Sequence, residues 1–145
     1  MKILMVCLGN ICRSPLAHGI LAHLVAESGL DWQVDSAGTG DWHVGKEPDR
    51  RSIAVAHKYG VDISAQRARL FVSDFFDLYD YIYVMDRNNY RDVLAKARNA
   101  ADKDKVRMFL PDGIVPDPYF DENQFEPVFH MIEQRCRELI RDLAK

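Results

Sequence analysis

The chain has 145 residues, 48% hydrophobic and 28% charged, with a formal net charge of -3. That length fits one domain, residues 1–145, with a substantial core, and the composition argues against disorder. A mildly acidic chain has no general attraction for nucleic acid or an anionic membrane, and no run approaches the roughly 20 apolar residues of a spanning helix.

In chain order, Lys2–Val6 is a short apolar run that reads as an interior strand. It is too short, and wrongly flanked, for a signal peptide, so a cytoplasmic protein with reduced thiols is expected. A helix runs from Pro15 to Ser28, with Leu16, Ile20, Leu21 and Leu24 on one face and Gly29 as its stop. Gln33–Ser36 is strand-like. A helix spans Pro48–Tyr59, with Ile53, Val55 and Ala56 inward and Gly60 ending it. A short helix begins at Ser73. Tyr81–Met85 is a strand, Asp86 caps a helix over Arg87–Ala97, and Val106–Leu110 is the last strand. The final helix covers Gln124–Leu143, with Val128, Ile132, Cys136, Leu139, Ile140 and Leu143 as its stripe and Glu133–Arg137 as an i,i+4 pair. Strands alternating with helices predict an α/β fold, a three-layer sandwich with a parallel sheet between helices.

The chemistry concentrates between the first strand and the first helix, in Cys7, Leu8, Gly9, Asn10, Ile11, Cys12, Arg13, Ser14 and Pro15. A strand, a tight loop and a helix N-terminus converge backbone N–H groups and the helix dipole on one point, which suits an oxyanion. Gly9 permits close backbone approach, and Asn10 tolerates a left-handed conformation. Ser14 and Pro15 read as N-cap and first helical residue. Arg13 offers a planar fork for two phosphate oxygens. Thiols beside cations and helix N-termini ionise readily, with pKa falling from about 8.5 to roughly 3.5–7.5. Cys7 is therefore the candidate nucleophile, with the Ser14 hydroxyl as a further donor to its sulfur. In-line attack on phosphorus would give a phosphocysteine intermediate. Taken alone, Cys7 reads better as a buried core thiol; its company of Gly9, Asn10, Arg13 and Ser14 in register reverses that.

The run from Cys7 to Pro15 resembles the signature of the low-molecular-weight protein tyrosine phosphatases. The resemblance continues through Val34-Asp-Ser-Ala-Gly38, Ile82-Tyr-Val-Met-Asp86 and Asp117-Pro-Tyr119, and covers essentially the whole chain. It implies a central four-stranded parallel sheet with the phosphate loop after its first strand. It also implies hydrolysis of phosphotyrosine and small aryl phosphates without a metal or other cofactor. The expected partners are phosphotyrosine proteins or peptides, with phosphate or other oxyanions as product or inhibitor. Nucleic acid and membrane are not among them. A monomer, with weak self-association at most, is expected.

By residue type alone, an Asp before Pro is more often turn chemistry than a catalyst. The resemblance implies that Asp117 is the general acid for the leaving oxygen and then the base for the hydrolytic water. The backbone of Leu8, Gly9, Asn10, Ile11, Cys12 and Arg13 would bind the phosphoryl group, with Asn10 and Ser14 holding the loop. Trp42 and Tyr119 would wall a slot for a phenyl ring, and Phe120 is either a third wall or an ordinary surface aromatic. Relatives acting on phosphoarginine carry Thr at the place of Ile11, so Ile11 favours an aryl phosphate. Relatives often have His, linked to the loop Asn, where this chain has Gln66; Gln can donate and accept, so the link either survives without the charge option or is lost. The resemblance also implies a reversible Cys7–Cys12 disulfide that protects Cys7 from overoxidation.

Cys136 reads as core, on the stripe of the last helix. The cysteine spacing does not suit zinc. Among the histidines, 18, 23, 57 and 130 read as surface or packing residues, while His43, beside Trp42, is placed at the pocket border. Arg50, Arg51, Arg67 and Arg69 would either flank the pocket and favour acidic peptides or form a solvated face. Two alternatives to a phosphatase share the loop. Arsenate reduction needs two further relay cysteines, for which only Cys12 and Cys136 exist, and a phosphoprotein-binding module would need neither thiol nor acid.

Overall fold

The computed structural model describes residues 1–144. Four parallel strands form one sheet: β1 (Lys2–Cys7), β2 (Gln33–Gly38), β3 (Tyr81–Val84) and β4 (Val106–Met108), in the order β2-β1-β3-β4. Five α-helices accompany them: α1 (Arg13–Glu27), α2 (Arg50–Lys58), α3 (Arg87–Leu94), α4 (Ala100–Lys105) and α5 (Phe125–Leu143).

Ile3, Leu4, Met5 and Val6 of β1 are fully buried because both faces of this central strand are covered. The pleat sends Ile3, Met5 and Cys7 toward α1, α2 and α5, and Leu4 and Val6 toward the layer containing α3. Parallel strands need crossovers, and α1 supplies the one from β1 to β2. The loops at the carboxyl ends of β1 and β3, which pair directly, therefore lie side by side.

The expected elements occur in the expected order, with local differences. α1 begins at Arg13 with Cys12 as N-cap, two residues before the Ser14 cap read from sequence. The Ser14 side chain is drawn instead toward Cys7 and Asn10. Asp49, rather than Pro48, starts α2: its carboxylate accepts from Arg51 N–H. The segment from Ser73 to Asp77 is a 3₁₀ turn without a side-chain cap. The helix expected through Ala97 stops at Leu94, and α4, not anticipated, starts after Asn99, whose side chain accepts from Asp102 N–H. The last strand ends at Met108, and a 3₁₀ turn over Glu122–Gln124 precedes α5. Gly29 and Gly60 take positive φ, the left-handed stop expected after α1 and α2. Cys136 is fully buried between α5 and α1, with its sulfur 3.9 Å from the Ala17 carbonyl. Among the described residues, no helix is long and apolar enough to cross a membrane.

Candidate active site

Residues 8–12 turn tightly between β1 and α1. Asn10 holds φ at 56°, a left-handed conformation that Asn adopts more readily than most residues. Its amide supports the turn at both ends: Nδ2 donates to Ser14 Oγ at 2.8 Å, and Oδ1 accepts from Arg69 N–H at 3.0 Å. The Ser14 hydroxyl lies 3.0 Å from Cys7 Sγ. Asn10, Ser14 and Cys7 thus form one buried polar chain.

The backbone of the loop is sorted by polarity. The carbonyls of Cys7, Leu8 and Ile11 point away, accepting from Thr39, Gly40 and Asp49 N–H at 2.8–2.9 Å. The N–H groups of Gly9, Asn10, Ile11 and Cys12 have no acceptor among the described residues. A loop that turns these carbonyls away and leaves four successive N–H groups free suits an anion. Gly38 lies against it: a Cβ there would come 2.7 Å from the Leu8 carbonyl oxygen and 3.1 Å from Asn10 N.

Arg13 is buried at the start of α1, and two groups from distant segments fix its guanidinium. Nη1 donates to Asp86 Oδ2 at 2.7 Å and to the Val115 carbonyl at 3.0 Å. Burial opposes its charge, yet the Cys7 sulfur and the Asp86 carboxylate raise its pKa above the usual guanidinium value. Asp86 was read from sequence only as the cap of α3, which it is, through Oδ1 and Asn89 N–H at 2.8 Å. Its second role had no local signal, because the two residues are 73 positions apart.

Asp117 comes from the irregular segment between β4 and α5. Its Oδ2 lies 3.9 Å from Arg13 Nη2, and its Oδ1 accepts from Tyr119 N–H at 3.1 Å. Cys7, Leu8, Gly9, Ile11, Cys12, Arg13, Trp42, His43, Asp117, Tyr119 and Phe120 line a single cavity of about 210 Å³. The fold therefore gathers the candidate nucleophile, cation, acid and slot residues around one cavity, with Asn10 and Ser14 behind it. Trp42, Tyr119 and Phe120 are exposed at its rim, Phe120 at 91%. Burial, aided by the negative charge of Asp49, pushes the Cys12 thiol well up from its usual pKa.

The structure decides two alternatives left open by the sequence. Gln66 does not reach Asn10: its Nε2 donates to the Pro15 carbonyl at 3.1 Å, and the backbone of Arg69 takes the Asn10 oxygen instead. The four arginines do not make a basic collar, since none lines the cavity. Arg67 turns back on the Ser64 and Gln66 carbonyls, Arg69 holds the Ser36 carbonyl and the Tyr79 hydroxyl, and Arg51 pairs with Asp49.

A sequence model described as low molecular weight phosphotyrosine protein phosphatase matches residues 2–145. The chain is 37% identical to low molecular weight phosphotyrosine protein phosphatase 2 of Drosophila melanogaster, over 97% of this chain and 90% of that one. It is 33% identical to the low molecular weight phosphotyrosine protein phosphatase of Sus scrofa, over 96% and 93%. Among solved structures, a protein tyrosine phosphatase from Entamoeba histolytica superposes with a TM-score of 0.93 at 35% identity, covering 99% of this chain and 97% of that one. Sequence and fold agree over the full length, and the chain belongs to the low molecular weight phosphotyrosine protein phosphatase family.

Proposed function

We propose that this tyrosine phosphatase hydrolyses phosphotyrosine by double displacement, with Cys7, Arg13 and Asp117 as its catalytic residues. The observation that carries the reading is the convergence of thiol, guanidinium and carboxyl on one cavity, above a loop that offers free N–H groups. Cys7 Sγ attacks phosphorus as the P–O bond to the phenol breaks, and Asp117 gives the phenolic oxygen its proton. Water then attacks the phosphocysteine, Asp117 takes the water's proton, and the thiolate leaves, receiving a hydrogen bond from Ser14. Phosphoryl transfer passes through a loose transition state, so positioning and charge stabilisation dominate. Arg13 and the loop amides carry that charge, which is why the reaction is assigned no metal.

Trp42 and Tyr119 line the cavity and serve as walls for a phenyl ring, with a phosphoserine too short to reach the thiolate, and Ile11 offers no hydroxyl to a nitrogen leaving group. Arsenate reduction is disfavoured by Cys136, which is packed between helices and away from the cavity. All three cysteines are unpaired, in keeping with a reducing cytoplasmic setting, and Cys7 and Cys12 share the cavity that a protective disulfide would close. The chain is taken to act as one domain and as a monomer on phosphotyrosine proteins.

The test is phosphate release from matched phosphotyrosine and phosphoarginine peptides by the wild type, Cys7→Ser and Asp117→Asn. Phosphotyrosine turnover that disappears in Cys7→Ser while phosphate still binds supports the nucleophile. Asp117→Asn should lose most on poor leaving groups; equal loss on good and poor ones counts against Asp117 as the acid. Preference for phosphoarginine would overturn the substrate.

A further inference from the structure

The acid carboxyl sits on a segment without regular structure. From Leu110 to Phe120 the chain carries three prolines and a glycine, and Asp117 is itself exposed. On the inner side, Val115 anchors this segment by donating to the Met85 carbonyl at 2.8 Å and accepting from Arg13. Beyond Asp117, the Tyr119 N–H holds its carboxylate. What holds Tyr119 decides where that N–H, and with it the acid, can stand.

Arg51 fills that place. Its guanidinium carbon lies over the Tyr119 ring at 5.4 Å and over the Phe125 ring at 4.6 Å. Phe125 is buried at the start of α5, so one side of the stack is fixed to the core. The edge of the guanidinium is gripped by Asp49, with Nε to Oδ1 at 3.0 Å and Nη2 to Oδ2 at 2.9 Å. Burial works against the Asp49 charge, but the Arg51 hydrogen bonds hold its pKa below the usual carboxylate value. Asp49 is tied in turn to the phosphate loop, its N–H donating to the Ile11 carbonyl at 2.8 Å. A planar cation can present its face to rings and its edge to a carboxylate at once, which a lysine cannot.

We propose that Arg51 is a positioning residue for the acid: through Asp49 on one side and Tyr119 on the other, it ties the Asp117 segment to the phosphate loop. It touches no reacting atom, since it does not line the cavity. The inference rests on the assignment of Asp117 as general acid. With Arg51 removed, Tyr119 loses its seat, and the carboxyl spends less time in line with the leaving oxygen. Misplacement of a catalytic group by about 1 Å can cost up to ~100-fold in rate.

The experiment compares kcat/KM on a phosphotyrosine peptide, a poor leaving group, with that on dinitrophenyl phosphate, whose phenol leaves without a proton. The proteins are wild type, Arg51→Ala, Arg51→Lys, Asp117→Asn and the Arg51→Ala/Asp117→Asn double variant. Arg51→Ala should lose about tenfold on the peptide and far less on dinitrophenyl phosphate. Arg51→Lys should fall between it and wild type. In the Asp117→Asn background, Arg51→Ala should leave the ratio of the two substrates unchanged. If Asp117→Asn shows the leaving-group signature and Arg51→Ala is uniform or silent, the role of Arg51 is overturned and the acid stands. If Asp117→Asn is itself uniform, the acid assignment falls and the role of Arg51 falls with it.

Discussion

The Asp86 carboxylate serves two structures with its two oxygens. Oδ2 receives Arg13 Nη1 at 2.7 Å, and Oδ1 receives Asn89 N–H at 2.8 Å. The Arg13 guanidinium and the first turn of α3 thus share one anchor. Asn caps helices about as well as Asp, so the two roles separate by substitution. Asp86→Asn should keep α3 but weaken competitive inhibition by phosphate about tenfold, because the fork is no longer held. Asp86→Ala should add about 1 kcal/mol of instability from the lost cap. Inhibition constants and thermal unfolding of both variants check this; equal phosphate affinity in wild type and Asp86→Asn would refute the positioning role.

The Ser14 hydroxyl faces the leaving sulfur in the second half of the proposed reaction. A hydrogen bond to a charged group contributes about 1.5–3 kcal/mol. Ser14→Ala should therefore slow phosphocysteine hydrolysis by roughly 10–100-fold. It also strands the buried Nδ2 of Asn10, which Ser14 accepts at 2.8 Å. Rapid-mixing kinetics would show a burst of phenol followed by slow turnover. A variant that lost only substrate affinity would argue against this role.

Gly38→Ala should damage the site from beneath. The new Cβ would stand 2.7 Å from the Leu8 carbonyl, and neither backbone can yield cheaply. Overpacking of this kind costs about 1–3 kcal/mol, and the displacement falls on the phosphate loop. Lower thermal stability together with weaker phosphate binding is expected; unchanged phosphate binding would show that the loop is not seated on Gly38.

Alkylation separates the three thiols. Burial raises the pKa of both Cys12 and Cys136, so neither supplies much thiolate near neutral pH. Iodoacetate should label the native protein once, at Cys7, and excess phosphate should protect it. Mass spectrometry of wild type and Cys7→Ser checks this, and rapid labelling of Cys12 in the native protein would contradict it.

The strand–loop–helix was legible because its signals are local. Apolar residues, Gly9, Asn10, Arg13 and Ser14 stand within a dozen positions, and Asn10 does take the left-handed turn. The Ser14 cap failed for a physical reason: a hydroxyl that could cap a helix finds better partners in Asn10 and Cys7. The supports of the site were not legible. Arg13 with Asp86, Tyr119 with Arg51 and Leu8 with Gly38 meet only through the tertiary fold. The break between α3 and α4 did carry a signal, Asn99 three residues before Asp102, but the apolar pattern running to Ala97 masked it.

Asn10 holds its unusual turn with both ends of its amide occupied by the protein itself. The ordering of this loop is thus charged to folding and not to binding. An incoming phosphoryl group need freeze only itself, and a small oxyanion can keep most of its contact energy as affinity. Release, for the same reason, asks for no rearrangement of the loop. A cradle built this way neither closes on its ligand nor has to open behind it.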